Sequence, residues 1–253
     1  MTYIGLDLGS RSVKIAIMSE DRTCRLQKLD TIKFYREYGA KTGGQLTIDF
    51  SALDLDIKGA EITATGYGRQ TVDIQGARVI PEIKAHVLGA VYLTGLSNFT
   101  LLDLGGQDSK VALVRNGRLV DFLTNDKCAA STGRYLENMA AVLNISLPEL
   151  SLHYQTPVDL TSTCAIFGES ELIDKIVQGF SVSSLAAGVN DSIFKRIHPM
   201  LVKLASDTVV FTGGVAHNGA LAEIIRQKTG AAVVVPANPE YAGAIGCCIH
   251  ARG

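Results

Sequence analysis

Near the start of the chain, apolar and β-branched residues alternate with polar ones, a two-residue period that predicts β-strands. Three such strands are expected, at residues 3–8, 13–18 and about 26–34. The glycine-containing stretch 38–51 predicts a loop or turn, residues 61–65 predict a further strand, and Pro81 opens a helix expected over about 82–93. The first part of the chain is therefore predicted to be a strand meander followed by a helix.

The same order of elements begins again near residue 100. Asn116-Gly117 is a strong hairpin signal between two of three expected strands, which cover residues 100–103, 110–114 and 119–123. The apolar period then becomes that of amphipathic helices, with two short buried strands between them. The helices are expected at about 129–144, 168–178, 182–205, 217–228 and 240–251, and the strands at 208–211 and 232–235. This pattern predicts an α/β fold in two related halves that meet near residues 94–99.

A short motif occurs once in each half. Residues 7–17 (DLGSRSVKIAI) and 103–113 (DLGGQDSKVAL) share Asp, Leu, Gly, Lys and Ala at matching positions. Each copy is predicted to be a strand ending in an aspartate, a glycine turn and a returning strand, which leaves backbone N–H groups unshielded beside a carboxylate. Such turns suit phosphate groups, with Asp7 and Asp103 holding Mg²⁺ directly or through water. The alternative is two ordinary hairpins that share glycine turns.

Other polar residues of these two turns are candidates for nucleotide chemistry. Lys14 and Lys110 occupy equivalent positions, where each can neutralise phosphate or simply be a lysine at a strand edge. Gln107 and Asp108 follow the second glycine turn, where a polar side chain can orient an attacking water or cap the turn. We therefore expect Gln107 to act with the two aspartates in catalysis.

A third glycine segment, VVFTGGVAHN at residues 209–218, is predicted to be a buried strand that runs into Gly-Gly and then a helix. Glycines permit close approach of an adenine or ribose, and polar side chains at the helix start offer hydrogen bonds. The candidate contacts are Gly213, Gly214, His217 and Asn218. A tight strand-to-helix turn without a ligand is the alternative. Glu240 and Gly243 precede or begin the last helix and are expected to close the pocket, although Glu240 can simply favour the helix dipole.

The composition supports a folded chain and argues against some classes of partner. Of the 253 residues, 47% are hydrophobic and 19% are charged, and the net charge is -1. This charge argues against a surface built for nucleic acid or anionic lipid. No apolar run reaches the roughly 18–20 residues that a membrane helix needs, and Met1 leads into a strand-like segment rather than a basic and apolar leader. We therefore expect a cytoplasmic protein.

The cysteines argue against a disulfide framework and leave metal or redox chemistry open, because they number five in a chain expected to have no leader. Cys128 and Cys164 are each expected at a helix N-terminus, where free N–H groups lower the pKa of a thiol and suit an anionic iron–sulfur cluster. A [4Fe-4S] cluster takes four thiolates, so a chain with two would share it with a second copy. Cys24, Cys247 and Cys248 match no ligand pattern and are expected to be structural. On the residues alone, the favoured alternative is that Cys128 and Cys164 are two buried cysteines without a metal, since no CxxC spacing is present and 36 residues separate them.

The two hairpins, the VVFTGGVAHN segment and a small-residue last helix (Ala242 to Ala251) together resemble the actin, sugar kinase and Hsp70 ATPase superfamily. The resemblance implies two ribonuclease H-like domains that close over ATP, with the nucleotide cleft between them. The first would comprise residues 1–96 plus about 240–253, and the second residues 97–239. We find no counterpart of a sugar-binding insert, or of the aspartate base with which hexose kinases deprotonate their acceptor.

Four further motifs are similar to one family of that superfamily, the BadF/BadG/BcrA/BcrD ATPases that include the activators (component A) of 2-hydroxyacyl-CoA dehydratases. They are NDKCAASTGR at 125–134, STCAIFGESE at 162–171, TGYGR at 65–69 and LGGQD at 104–108. Ser131 and Gly168 depart from the family pattern, in which we expect Gly and Ala. The resemblance implies a homodimer with one [4Fe-4S] cluster, held by Cys128 and Cys164 of each protomer. ATP binding would drive transfer of single low-potential electrons to a partner enzyme.

The resemblance also implies a set of partners and nucleotide contacts. The partner would be an iron–sulfur dehydratase or reductase, and the electron donor a low-potential protein such as ferredoxin or flavodoxin. ATP or ADP would be bound by Gly9, Ser10, Arg11, Ser12, Val13, Lys14, Gly105, Gly106, Gly133, Arg134, Gly213, Gly214, His217, Asn218, Glu240 and Gly243. A small-molecule kinase of the same fold, or a nucleotide-switched binding protein without a cluster, are the alternatives.

Overall fold

A computed structural model of the protein describes residues 1–42, 45–53, 55, 57–70, 72–74, 76–125, 132–162 and 164–253. The chain divides into two compact units. The first comprises Met1–Leu96 together with Glu240–Gly253, and the second comprises Ser97–Pro239. Among the helices of these described ranges, none is long and apolar enough to cross a membrane.

The regular elements are numbered in chain order. The strands are β1 (Thr2–Leu8), β2 (Ser12–Ser19), β3 (Cys24–Asp30), β4 (Gly39–Thr42), β5 (Gln45–Ile48), β6 (Ala60–Thr65), β7 (Val72–Asp73), β8 (Ala77–Val79), β9 (Phe99–Leu104), β10 (Ser109–Arg115), β11 (Arg118–Asn125), β12 (Thr208–Thr212) and β13 (Ala232–Val234). The helices are α1 (Thr31–Tyr38), α2 (Glu82–Thr94), α3 (Gly133–Leu143), α4 (Leu147–Leu150), α5 (Ala165–Val177), α6 (Val182–Lys203), α7 (Gly219–Thr229) and α8 (Ala242–Arg252). Short 3-10 turns cover Tyr67–Gln70, Gly214–His217 and Pro239–Tyr241.

The first unit is built on a five-stranded sheet in the order β3-β2-β1-β6-β8. Strand β1 is antiparallel to β2 and parallel to β6. Helices α2 and α8 pack closely because small residues meet between them. A Cβ on Gly89 would lie 1.8 Å from the carbonyl oxygen of Ala242, so the two backbones touch at this point. The small-residue composition of the last helix is therefore a packing requirement.

The second unit contains a sheet of the same design, in the order β11-β10-β9-β12-β13. Strand β9 is antiparallel to β10 and parallel to β12, which is parallel in turn to β13. Its core includes Leu102 and Phe211 from the sheet and Tyr135 from α3, all at most 1% exposed. Strands of equivalent order and direction thus carry the two copies of the sequence motif.

Two predictions for the first unit are wrong. The strand expected at 26–34 ends at Asp30, whose carboxylate accepts hydrogen bonds from the N–H groups of Ile32 and Lys33 and caps α1. The stretch 38–51, expected to be a loop or turn, contains β4 and β5, which form a small sheet with β7. These short strands are stabilised by pairing with one another, which their sequence alone does not indicate.

The remaining strands and long helices lie where the periodicity predicts them, with shifts of up to four residues at their ends. Asn116 and Gly117 both have positive φ, 50° and 70°, as a tight hairpin between β10 and β11 requires. Helix α3, expected from 129, begins at Gly133; residues 126–131 lie outside the described part of the chain.

Candidate functional site

The first hairpin places a buried carboxylate at the end of β1. Asp7 is 1% exposed and lies opposite Lys14 in the β1–β2 register, with 3.5 Å between Lys14 Nζ and Asp7 Oδ2. The other oxygen, Oδ1, is buried and has no hydrogen-bond partner among the described residues. A Cβ on Gly66 would lie 2.8 Å from Oδ1, so glycine keeps the space beside it open. An orphaned anionic oxygen next to such a space is suited to a cation or a water.

Two side chains of α2 complete this neighbourhood, and the sequence reasoning missed both. One ligand atom each of Asp7, Glu82 and His86 lie within 4.8 Å of one another. A Cβ on Gly243 would lie 2.9 Å from His86 Nε2 and 3.1 Å from Asp7 Oδ2, which brings the predicted Gly243 to the same place. The available signal was the four-residue spacing from Glu82 to His86, which puts both on one face of a helix.

The turn between β1 and β2 can offer mainly backbone groups. Val13 is fully buried and Ser12 is 8% exposed, whereas Arg11 is exposed and its Nη1 lies 3.5 Å from Asp30 Oδ2. A Cβ on Gly9 would lie 3.0 Å from Lys14 Nζ. Glycine at this position therefore lets the lysine lie across the turn that contains Ser10.

Glu240 stands at the start of α8, in the 3-10 turn that precedes the helix. Burial and then the charge of Glu240 raise the pKa of Tyr241, and Lys14 lowers it. Glu240 and Lys14 therefore both act on the Tyr241 hydroxyl.

The second hairpin uses its charges differently. Asp103 is 2% exposed, and its Oδ1 accepts a hydrogen bond of 2.8 Å from Thr212 Oγ1. Lys110 Nζ donates to Asp108 Oδ2. The residue equivalent to Asp108 in the first hairpin is Ser12. Gln107 is exposed in the turn between β9 and β10.

Strand β12 ends at Thr212 and the equivalent strand β6 ends at Thr65, and a glycine follows each, Gly213 and Gly66. This second repeat was not predicted from the sequence. The two threonines act differently, because Thr65 Oγ1 donates to the carbonyl oxygen of Ile80. This difference accounts for the unpartnered Oδ1 on Asp7, whereas the matching oxygen of Asp103 is held in place.

The glycine segment after β12 divides into a constrained and an open position. Gly213 has φ 85°, whereas no described atom lies within 4 Å of a Cβ placed on Gly214. The Asn218 side chain accepts from the N–H of Leu221 and donates to Asn190 Oδ1, so it caps α7. His217 ends the short 3-10 turn. The open side of this segment is therefore at Gly214.

The start of α3 is hydrogen-bonded to the second hairpin. The N–H of Gly133 donates to the carbonyl oxygen of Gly105 at 2.9 Å, and that of Arg134 to Gly106 at 3.1 Å. These four predicted nucleotide contacts therefore form one local structure. Any ligand that moves the hairpin acts directly on the beginning of the helix.

Of the two candidate cluster ligands, Cys128 lies outside the described residues. Cys164 is partly exposed at the N-cap of α5. Its side chain makes no capping hydrogen bond, but the N–H groups of Phe167 and Ile166 at the open helix end lower the pKa of the thiol. Ile166 is 73% and Phe167 69% exposed. A cysteine of lowered pKa thus lies beside exposed apolar side chains.

The other cysteines have a different environment. Cys247 and Cys248 are fully buried, and burial raises the pKa of Cys248 to about 12. Burial also raises the pKa of Cys24. Such thiols stay protonated and behave as small apolar side chains, which suits the structural role predicted for them.

The strand order within each of the two five-stranded sheets is characteristic of a known fold. MreB5 of Spiroplasma citri with bound AMPPNP shares it, with a TM-score of 0.54 and 15% identity over 98% of this chain and 95% of that one. The predicted α/β fold class is thereby confirmed. Within this class the chain belongs to the BadF/BadG/BcrA/BcrD ATPase family, whose model matches residues 4–251.

Similar proteins in the family include activators of CoA dehydratases. The (R)-2-hydroxyglutaryl-CoA dehydratase activating ATPase of Acidaminococcus fermentans is 31% identical over 98% of this chain and 96% of its own. The activator of lactoyl-CoA dehydratase of Anaerotignum propionicum is 33% identical over 99% and 97%. The solved structure of the activator of 2-hydroxyisocaproyl-CoA dehydratase from Clostridium difficile with bound ADPNP has a TM-score of 0.85 and 30% identity, over 99% of this chain and 94% of that one. The family resemblance inferred from the motifs is confirmed.

Proposed function

We propose that this protein is an ATP-dependent activator that passes single low-potential electrons to an iron–sulfur enzyme such as a 2-hydroxyacyl-CoA dehydratase or a related reductase. A donor such as ferredoxin or flavodoxin would reduce it. The observation that carries the proposal is Cys164, a thiol of lowered pKa at an open helix end. The similarity to named dehydratase activators agrees with it.

In this proposal the two hairpins bind the phosphates of ATP. Lys14 neutralises phosphate charge, and backbone N–H groups of both glycine turns donate to phosphate oxygens. Asp7 fits Mg²⁺, because its Oδ1 is buried, anionic and without a partner in the described structure. When bound, Mg²⁺ supplies charge neutralisation to the transferring phosphoryl group. Asp103 and Gln107 orient the attacking water, Asp103 from a position fixed by Thr212.

Cys164 and, by its motif, Cys128 would hold one edge of a [4Fe-4S] cluster, with the same two residues of a second copy holding the other. When bound, the cluster stores one electron and releases it to the partner enzyme. The residues present fit this group, because ligation requires a thiolate and the end of α5 favours one. Ile166 and Phe167 are exposed beside Cys164, which supports burial of this surface by a second copy.

Coupling between ATP and the cluster would pass through the start of α3. Gly133 and Arg134 bond to the turn of the second hairpin and directly follow the segment that contains Cys128. A nucleotide that binds more tightly to one of two conformations of this turn shifts the equilibrium between them. The shift equals the difference between the two binding free energies, and the cysteine segment moves with the turn. ATP hydrolysis then returns the hairpin turn and the cysteine segment to their starting conformation.

The first test is an absorption spectrum with iron and sulfide analysis on protein purified without oxygen. About four irons per dimer are expected, with loss of iron in Cys164→Ala and none in the matched control Cys24→Ala. ATP binding should survive both changes. A colourless monomer after reconstitution, with ATP consumption that depends on a small-molecule acceptor, would instead identify a kinase of the same fold.

A further inference from the structure

We propose that Glu171 and Arg196 are positioning residues that hold the Cys164 segment against α3 and thereby determine how firmly the cluster is retained. The inference rests on the proposed function, since it concerns the supports of a proposed cluster ligand. Neither residue is expected to touch the cluster itself. Glu171 accepts from the backbone N–H groups of Thr161 and Ser162, and Arg196 donates to the backbone carbonyl of Ser162, two residues before the cysteine.

Glu171 holds this backbone from the middle of α5. Its carboxylate accepts hydrogen bonds from the N–H of Thr161 at 2.8 Å, the N–H of Ser162 at 2.9 Å and the Thr161 hydroxyl at 3.0 Å. Burial acts to raise the pKa of Glu171, but the bonds from Thr161 and Ser162 outweigh it and lower the pKa to about 2. The carboxylate is therefore charged near neutral pH, and both of its oxygens accept hydrogen bonds. The chain before Cys164 is thus folded back along the helix that the cysteine begins.

Arg196, on α6, binds the next peptide group along the chain, through the carbonyl of Ser162. Its Nη2 donates to the carbonyl oxygen of Ser162 at 2.6 Å. The guanidinium carbon lies 5.0 Å from the centre of the Tyr135 ring, a cation–π contact with α3. Tyr135 is 1% exposed, and its hydroxyl lies 3.0 Å from Ser192 Oγ, so the ring is fixed. One side chain therefore connects the segment before Cys164 to the helix that follows Cys128.

This arrangement differs from an ordinary contact between helices. Glu169 Oε2 also joins α5 to α3, by accepting from Asn138 Nδ2 at 3.0 Å, but it leaves the cysteine segment untouched. Glu171 and Arg196 instead fix the N–H and C=O groups of the residue two before Cys164. Groups that orient a metal ligand without touching the metal typically change metal retention about 10–100-fold when they are replaced. Glu169 supplies the matched control.

The test uses the full-length protein with its cluster, under exclusion of oxygen, in the variants Glu171→Gln, Arg196→Gln and Glu169→Gln. The rate at which iron passes to a ferrous chelator should rise about tenfold or more in the first two variants and stay at the wild-type rate in the third. The midpoint potential should rise in Glu171→Gln, which removes a negative charge, and fall in Arg196→Gln, which removes a positive one. Arg196→Lys keeps the charge and a donor for Ser162, so it should be intermediate, and it serves if Arg196→Gln does not fold.

Unchanged iron release would overturn the inference, as would faster release of equal size in Glu169→Gln. Faster release without a change in either potential would show that the two residues only stabilise the fold, and it too would overturn the inference. If the wild-type protein holds no iron, the proposed function fails and the inference fails with it. If the wild-type protein holds iron and the variants behave like it, only the inference fails.

Discussion

Replacing Gly213 with alanine should destabilise the second unit strongly. The residue has φ 85°, a conformation that costs an L-residue with a Cβ about 1–2 kcal/mol. The new Cβ would also lie 2.3 Å from the carbonyl oxygen of Leu104 and 3.0 Å from Asp103 Oδ1. Backbone of a central strand cannot move aside cheaply, and overpacking of this kind costs about 1–3 kcal/mol. The expected loss of unfolding free energy is therefore about 2–5 kcal/mol.

The neighbouring glycine provides the control. Gly214→Ala places its Cβ in space that holds no described atom within 4 Å, so its unfolding free energy should stay within about 1 kcal/mol of the wild type. The chain has no tryptophan, so urea unfolding is best followed by far-ultraviolet circular dichroism. A Gly213→Ala protein as stable as Gly214→Ala would refute the reasoning from close approach and positive φ.

Three further predictions follow from single side chains. Gly168→Ala should raise unfolding free energy by about 0.5–1 kcal/mol in urea titrations, because the new Cβ would lie an ordinary 3.6 Å from the Tyr135 ring; a loss of stability would contradict this. The lowered pKa of Glu171 stabilises the folded state above pH 4.5, and this stabilisation is lost as the pH falls through about 2. The difference in unfolding free energy between the wild type and Glu171→Gln should therefore shrink between pH 4.5 and 2 in urea titrations, and a constant difference would contradict the lowered pKa. Asp7→Asn should keep the fold but reduce Mg²⁺-dependent ATP hydrolysis by about 100-fold in a phosphate-release assay, and unchanged turnover would remove Asp7 from the site.

The features that the sequence predicts best are those set by neighbouring residues. Asn116-Gly117 specifies its own turn because both residues tolerate positive φ. The hairpin motifs at Asp7 and Asp103 are visible because the strand, turn and returning strand are contiguous. Helix α1 was missed because the apolar alternation continues past Asp30, whose side chain can end a strand or cap a helix equally well.

The parts of the candidate site that escaped prediction depend on contacts between distant segments. Glu82 and His86 come to lie beside Asp7 only when α2 packs against α8, which itself packs on the first sheet. Glu171 looks like an ordinary helix residue, and its role becomes visible only when the preceding loop folds back on it. The different bonding of Thr65 and Thr212 is likewise invisible in two segments that both read Thr-Gly.

The return of the chain to its first unit has a consequence for biosynthesis. Ser97–Pro239 is continuous, so the second unit has all of its residues before α8 is made. The first unit must wait, because Gly89 and the strand residue Gly5 lie directly against the backbone of α8. During translation the second hairpin can therefore fold while Asp7 still lacks its neighbour Gly243. The order of synthesis thus delays the complete surroundings of Asp7 until the last helix has docked.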